Sequence, residues 1–413
     1  MSRRRPTARP KKNTFPLEHS ILLTATLCLL AGGAVMVYSA SSARTLLEGS
    51  GDGTAYLIKY LAYGTVGFIA LQIASRMDLD VVRRLTPALL GFAFFLLVLV
   101  HVPGVGVNIN GATRWVGAGP VQFQPSELMK LALVLYTVDL LAKRPKMVLT
   151  FRGIVSPLFV VAGAACLLIL TQPDLGTALV IGFTMCALLV AAGLPLGLLG
   201  KIAGSVSVAI MLFAVAEPYR RDRLMTFLDP WAHASDEGFQ SVQGQIALGS
   251  GGLFGNGIGE SVQKIFYLPE AHTDFILAVI GEELGVVGIC VLLFLYGLIA
   301  YAGLRAAKMA RGAYAQLLGA GITSLILCQA TLNVFTVLGL APLTGVPLPF
   351  ISSGSASLMT LMAGMGLLLN VANGGHSVVR AVPGSRADES RDRSRRDSRP
   401  RRTGAGGGRR AAG

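Results

Sequence analysis

Charged residues are scarce in this chain. Only 14% of its 413 residues are Asp, Glu, Lys or Arg, while 53% are hydrophobic and the mean hydropathy is +0.61. A soluble globular domain usually carries about 25% charged residues. The composition therefore excludes an ordinary soluble domain and indicates a protein embedded in lipid.

Cysteine is also scarce, and each of the five cysteines lies inside an apolar run. None falls in a loop that we assign to the outside, so no disulfide framework is predicted. No cluster of His and Cys has zinc spacing. We interpret the cysteines as small side chains that pack between membrane helices. They are Cys28, Cys166, Cys186, Cys290 and Cys328.

Two other features are missing. The glycine-rich segment 249–259 has no lysine in P-loop register and no preceding strand, so nucleotide binding is not predicted and its glycines are expected to serve loop turns. No internal repeat is visible. Because transporters often contain inverted repeats, this weighs against transport.

What the chain does contain is a series of apolar runs long enough to cross a bilayer. They predict an all-α polytopic membrane protein with about ten transmembrane helices, whereas a barrel would show short alternating segments. The predicted spans are about 18–40, 55–75, 86–103, 122–142, 153–171, 174–192, 197–216, 273–303, 314–340 and 350–373.

The net charge of +14 is concentrated at the two ends, in residues 1–17 and 374–413. These basic segments flank the membrane part, which is typical of cytoplasmic anchors near anionic lipid, and the tail is expected to be disordered. We predict no nucleic-acid partner. With the N-terminus inside, the short inner loops carry 11 Lys or Arg residues and the short outer loops carry two. This asymmetry places both termini in the cytoplasm, with the first span as an uncleaved anchor.

Two outer loops are substantial, at about 104–121 and about 217–272. The second joins spans seven and eight and is the longest connection, and a loop of this length is usually functional or disordered. Within it, the spacing of Phe239, Val242 and Ile246 predicts a short amphipathic helix on the surface.

Asp274 ends this long loop, where the eighth apolar span begins. Acids at membrane depth are costly and usually face a cavity or a partner. Two interpretations stay open: Thr273 and Asp274 cap the helix, or Asp274 is the general base of an active site facing outside. Glu282 and Glu283 follow about two turns later, and an ion pair with a neighbouring helix is the alternative to a site role for them.

The fourth span opens with Glu127 and Lys130, which are three residues apart and therefore share a helix face. Lys130 either pairs with Glu127 or Asp174, or lines a polar cavity where it could hold a phosphate oxygen. Asp174 lies in the turn at 172–176, as a helix cap or as part of a site. Ser352 begins the last span among hydroxyls and small residues that permit close helix approach.

Six short motifs occur in an order that resembles the SEDS family of shape, elongation, division and sporulation proteins. They are NGATRW at 110–115, QPSELMK at 124–130, QPDLGT at 172–177, PEAHTDF at 269–275, GEELG at 281–285 and PLPFIS at 347–352. The resemblance covers about residues 18–373, and the segments 223–231 and 270–274 look more like the FtsW branch than the RodA branch. Ser355 departs from the family, which usually has glycine there.

The resemblance implies a peptidoglycan glycosyltransferase that polymerises lipid II at the outer face of the bacterial cytoplasmic membrane, at the division septum if the FtsW likeness holds. It implies catalysis by Asp274 and family positions at Trp115, Lys130 and Asp174. The remaining substrate-binding candidates are Arg114, Glu127, His272, Glu282 and Ser352.

The same resemblance implies a class B penicillin-binding protein and other divisome proteins as partners, besides lipid II and membrane lipid. No cofactor is predicted apart from an optional divalent cation, Mg²⁺ or Mn²⁺, which like Lys130 could offset the charge of the leaving diphosphate. The alternatives are a lipid II flippase, a RodA-like polymerase for elongation, and a non-catalytic scaffold for a transpeptidase.

Overall fold

The structure, a computed structural model, describes residues 16–47, 53–109, 112–118, 121–149, 155–215, 226–236, 238–265, 268 and 271–374. The basic N-terminus and nearly all of the tail, for which we predict cytoplasmic anchors, lie outside the described residues. Within them, the helices are α1 (Leu17–Leu47), α2 (Ala55–Arg76), α3 (Leu79–Leu99), α4 (Pro125–Lys143), α5 (Val160–Thr171), α6 (Leu175–Ala191), α7 (Leu196–Val215), α8 (Phe239–Ser250), α9 (Ile276–Met309), α10 (Ala313–Val337) and α11 (Ser355–Ala372).

Each predicted span coincides with a helix, and α8 lies in the long loop, so the polytopic all-α fold class is confirmed. Among the residues that the structure describes, six helices are long and apolar enough to cross a membrane by length and composition: α1, α2, α3, α9, α10 and α11. A single π-helical turn, Val155–Phe159, precedes α5, and a 3-10 turn, Pro145–Leu149, follows α4.

The helix boundaries follow local capping. Pro125 opens α4, where its missing N–H costs nothing. The prediction for the third span was wrong by seven residues, since α3 begins at Leu79. The Asp78 side chain accepts a hydrogen bond from the Asp80 N–H there, and Arg83, one turn in, pairs with Asp139 of α4. Arg83 and Arg84 therefore lie on the helix and not in a loop.

The interior is formed around α10 and α11, whose residues are mostly buried. α2 and α11 form the most extensive helix pair. Glycine makes this possible, because a side chain at Gly366 would overlap the Leu71 carbonyl oxygen and one at Gly67 would meet Met362 at 3.1 Å. Small residues that let helix backbones approach are typical of membrane interfaces.

The loop at 104–121, which we predict to lie outside, contains a small antiparallel sheet that the sequence analysis missed. Its strands β1 (Gly106–Ile109), β2 (Ala112–Ala118) and β3 (Val121–Phe123) pair in the order β1-β2-β3. Ile109 pairs with Ala112, so only Asn-Gly connects the first two strands, and that dipeptide is a strong hairpin indicator.

The predicted amphipathic helix exists as α8, but its buried face differs from the prediction. Val242, Gly244 and Ala247 are buried against α9, whereas Ile246 is 37% exposed. Gly244 lies against the ring of Phe275, where a side chain would meet ring carbon Cδ1 at 2.9 Å. The helix therefore packs closely on the start of α9.

Helix α9 is broken at Gly285, which has φ 66° and ψ −163°. The glycine-rich segment after α8 hydrogen-bonds to the backbone groups at the break. Asn256 N–H donates to the Glu282 carbonyl at 3.0 Å, and Val286 N–H donates to the Gly252 carbonyl at 3.0 Å. The glycines thus do more than form turns. They let the backbone of this segment form hydrogen bonds with the buried backbone groups at the break in α9.

Candidate active site

Asp274 lies immediately before α9. The helix begins at Ile276 and its N-cap position is Phe275, so the cap position is not occupied by Thr273 or Asp274. The Asp274 carboxylate is partly exposed and accepts a hydrogen bond from the Thr273 hydroxyl at 3.1 Å. Its backbone carbonyl accepts from the Asn333 side-chain amide of α10 at 2.7 Å. The main chain of Asp274 is thus held by α10, and the residue as a whole is partly exposed.

Arg114 of β2 lies close to this carboxylate. Its Nε donates to the Gln172 carbonyl at 3.0 Å and its Nη2 donates to the Pro173 carbonyl. A Cβ placed on Gly345 would lie 3.9 Å from both Arg114 Nη1 and Asp274 Oδ2, so those two atoms are at most about 7.8 Å apart. The sheet, the turn before α6 and the end of the long loop therefore meet at one end of the bundle.

Trp115 follows Arg114 on β2 and pairs with Val107 of β1. Successive side chains of a strand point to opposite faces, so Trp115 projects from the other side of the sheet from Arg114. Trp115 is partly exposed. The strand geometry therefore does not bring Trp115 and the Arg114 guanidinium to the same face of the sheet.

Lys130 is buried deeper, with 1% of its surface exposed. Its Nζ lies 2.8 Å from Glu127 Oε2 and donates to Gln329 Oε1 of α10 at 2.6 Å. The predicted pairing with Glu127 is therefore present. A buried cation of this kind needs both a counter-charge and further hydrogen bonds, and these two partners supply them.

Asp174 is the N-cap of α6, where its Oδ1 accepts from the Thr177 N–H at 3.0 Å. Its Oδ2 accepts from Gln124 at 3.0 Å and from Ser126 at 3.1 Å. The cap interpretation of Asp174 thus matches the geometry. Through these bonds Asp174 also fixes the start of α4, the helix that carries Lys130.

His272 and Ser352 hold the loops around Asp274. The His272 ring packs against Tyr56 with centroids 4.3 Å apart, and its carbonyl accepts from the Ser353 N–H at 3.1 Å and the Ser353 hydroxyl at 2.9 Å. Ser352 is buried, and its hydroxyl accepts from the Leu348 N–H at 2.8 Å. Ser355 begins α11 with negative φ, so this position does not require glycine.

Both glutamates of α9 bind the long loop, and Glu283 also contacts helix α1. Glu282 accepts hydrogen bonds from the Ser261 hydroxyl and from the Val262 N–H, the latter at 2.9 Å. Glu283 pairs with Lys264 at 2.6 Å and accepts from the Ser39 hydroxyl of α1 at 2.7 Å. Both carboxylates are buried, so this pair anchors the segment that leads to Asp274.

Sequence reasoning missed Gln329, Asn333 and Lys264. The two amides were detectable in principle, because polar side chains four residues apart on a spanning helix share one face and need partners. In the described part of the chain, no group of three or more His, Cys, Asp or Glu residues could hold a metal ion. A divalent cation at Asp274 would therefore need phosphate oxygens of the substrate among its ligands.

The model of the FTSW_RODA_SPOVE family, described as cell cycle proteins, matches residues 19–376. The chain belongs to this family. Relatives include the "Probable peptidoglycan glycosyltransferase FtsW" of Thioalkalivibrio sulfidiphilus, 42% identical over 85% of this chain and 88% of that protein. The "Stage V sporulation protein E" of Bacillus subtilis is 39% identical over 85% of this chain and 96% of that protein.

Solved structures of the family are also similar to this chain. One is described as "Structural coordination of polymerization and crosslinking by a peptidoglycan synthase complex", with a TM-score of 0.70 and 30% identity over 86% of this chain and 98% of that one. The RodA protein of Thermus thermophilus has a TM-score of 0.63 and 28% identity over 89% of this chain and its whole length. The chain is thus an integral membrane protein of the FtsW, RodA and SpoVE type.

Proposed function

We propose that this FtsW-like chain is a peptidoglycan glycosyltransferase that polymerises lipid II, with Asp274 as its general base. The observation that carries the assignment is the position of the Asp274 carboxylate. Asp274 is partly exposed at one end of the helix bundle, and its Oδ2 lies at most about 7.8 Å from Arg114 Nη1. Its loop is held by α2, by α10 and by the segment before α11. An acid and a cation at this spacing suit a sugar diphosphate substrate.

In the proposed reaction, the hydroxyl oxygen of the acceptor sugar attacks the anomeric carbon of the growing chain. Asp274 takes the hydroxyl proton while the bond from that carbon to the diphosphate oxygen breaks. Undecaprenyl diphosphate leaves with the electron pair. Arg114 binds its oxygens, and Lys130 contributes positive charge from the buried interior, where charges act over longer distances than in water.

The other candidates occupy supporting positions in this scheme. Trp115, on the opposite face of β2, covers the acceptor side of the site. Five of the candidates act by holding α4, α9 and the loops, since each of them contacts other protein groups: Asp174, Glu127, His272, Glu282 and Ser352. A divalent cation would be held by Asp274 together with substrate phosphate oxygens, and it would offset the negative charge of the leaving diphosphate.

Purified protein with labelled lipid II in detergent tests the activity and the base together. Asp274→Asn keeps the shape and removes the base, so polymer should fall by about 100-fold or more, within the range for general base catalysis. Asp236→Asn is the matched control, because Asp236 is exposed in the same long loop. If the wild-type protein makes polymer in detergent, the hypothesis that it is only a flippase is wrong. If Asp274→Asn gives a polymer yield near that of wild type, Asp274 is not the general base.

The setting of the reaction follows from the same reasoning. We propose that the active end faces the outside of the cytoplasmic membrane and that both termini are cytoplasmic. The FtsW likeness supports a role at the division septum among divisome proteins. Polymerised strands still need crosslinks, so the partner is a class B penicillin-binding protein. Copurification of the pair in detergent tests this, and separate elution of the two proteins would contradict it.

A further inference from the structure

Helix α10 carries two buried amides on one face, Gln329 and Asn333, at 0% and 1% exposure. They are four residues apart and so lie one above the other. Amides in the interior of a spanning helix are costly unless every polar atom finds a partner. The position of their partners shows what these side chains do.

Gln329 connects the buried cation to the loop before α11. Its Oε1 accepts from Lys130 Nζ at 2.6 Å, while its Nε2 donates to the Pro347 carbonyl at 2.9 Å and the Ser357 hydroxyl at 3.1 Å. The amide oxygen of Gln329 therefore binds Lys130, while its amide nitrogen binds the backbone of the loop and a side chain of α11.

Asn333 connects the same loop to the base. Its Nδ2 donates to the Val346 carbonyl at 2.8 Å and to the Asp274 carbonyl at 2.7 Å. Val346 and Pro347 are adjacent, so a continuous path runs from Lys130 through Gln329, residues 346–347 and Asn333 to Asp274. Gly345, next in that loop, is the residue that faces both Asp274 and Arg114.

We infer that Gln329 and Asn333 are positioning residues, which we call the amide clamp, and that they fix Asp274 relative to Lys130 and Arg114. This rests on the proposed function. The clamp touches no reacting atom, because it holds Asp274 by its main-chain carbonyl and not by its carboxylate. Asn333 Oδ1 accepts no hydrogen bond from any described residue, so packing alone would favour an apolar side chain at this position.

The test compares Asn333→Leu, which removes both donor bonds at similar volume, with Thr323→Val. Thr323 is also buried on α10, but its hydroxyl bonds to Gly319 of its own helix. Lipid II polymerisation kinetics and melting temperature are measured for both purified proteins. We expect Asn333→Leu to lower kcat by about 10- to 100-fold with KM nearly unchanged, because a base displaced by about 1 Å loses rate and not binding. Thr323→Val should match wild type.

Asn333→Ser keeps one hydrogen-bond donor and serves as a second variant if Asn333→Leu yields little folded protein. We expect Asn333→Ser to lose less activity than Asn333→Leu and more than Thr323→Val. Gln329→Met should show the same kcat defect from the Lys130 side. A kcat within two-fold of wild type per folded Asn333→Leu or Asn333→Ser protein overturns the clamp. If Asp274→Asn is inactive in that case, the proposed function still stands; if Asp274→Asn is active, the base assignment fails on its own.

Discussion

Lys130 is the side chain whose role depends most on its surroundings. It is fully buried between Glu127 of its own helix and Gln329 of α10. A cation in this position either stabilises the packing of α4 against α10 or supplies positive charge for the leaving diphosphate. Removing one member of a buried pair strands the other charge, so a single substitution disturbs both roles.

A double substitution separates these roles. Lys130→Met alone should destabilise the protein by about 3–5 kcal/mol, because the Glu127 carboxylate is left buried without its partner. Adding Glu127→Gln removes the stranded charge and should recover most of the melting temperature. We expect polymerisation of lipid II to stay low in the double variant, as measured in detergent beside thermal unfolding. Recovery of both stability and activity would make Lys130 a purely structural residue.

At this scale the sequence predicted contacts that are local in the chain. The Lys130–Glu127 pair follows from helical spacing, and the Asp174 cap follows from its place before an apolar run. The path through Gln329 and Asn333 could not be predicted, because it joins residues up to 199 positions apart and depends on how α10 is rotated against α4.

Among the elements, α9 is unusual because its break at Gly285 lies within a membrane-spanning helix. Broken backbone is tolerated at such depth only where other groups satisfy it. The segment 252–257 does so, since Gly257 N–H donates to the Glu283 carbonyl at 3.1 Å and Val287 N–H donates to the Leu253 carbonyl at 3.1 Å. The break and the long outer loop are therefore one structural unit.

Gly285→Ala tests this unit, with Gly297→Ala as the control in the same helix. Gly285 has a φ and ψ that only glycine adopts readily, and a Cβ there would lie 2.6 Å from the Leu253 carbonyl oxygen. No atom lies within 4 Å of a Cβ at Gly297. We expect Gly285→Ala to lose at least about 2 kcal/mol of stability and Gly297→Ala to be neutral or slightly stabilising. Equal melting temperatures in detergent would contradict the account of the break.

The sequence predicted elements better than connections. Hydropathy located a helix at each of the ten spans because length and apolar content are local properties. The break in α9 could not be predicted because it depends on hydrogen bonds between separate segments. The sheet was missed although its Asn-Gly connection is a local hairpin indicator. The glycine-rich segment at 249–259 indicated turns, but nothing in it indicates which backbone it would contact.

For the whole molecule, the two ends of the bundle differ in chemistry. One end carries Asp274, Arg114 and the sheet, which the loops hold together. At the other end, Arg305 near the end of α9 pairs with Glu18 at the start of α1 at 2.9 Å, and Asp139 of α4 accepts from Lys143 and Arg83. The excess of Lys and Arg in the loops that we assign inside belongs to this second end, which agrees with the usual rule for cytoplasmic loops.

The orientation of the bundle decides whether Asp274 can meet a substrate outside the cell, and single cysteines measure it. In a protein whose five native cysteines are replaced, Ser250→Cys places a thiol at the exposed last residue of α8, the helix that packs on α9. Lys146→Cys places one at an exposed position in the turn after α4. The positive charge of the second end predicts that this end is cytoplasmic. We therefore expect an impermeant thiol reagent to label Ser250→Cys in intact cells, and to label Lys146→Cys only after the membrane is opened. Labelling of Lys146→Cys alone in intact cells would invert the bundle and move the chemistry to the cytoplasm, where a strand polymerised by Asp274 would be made on the wrong side of the membrane from the wall.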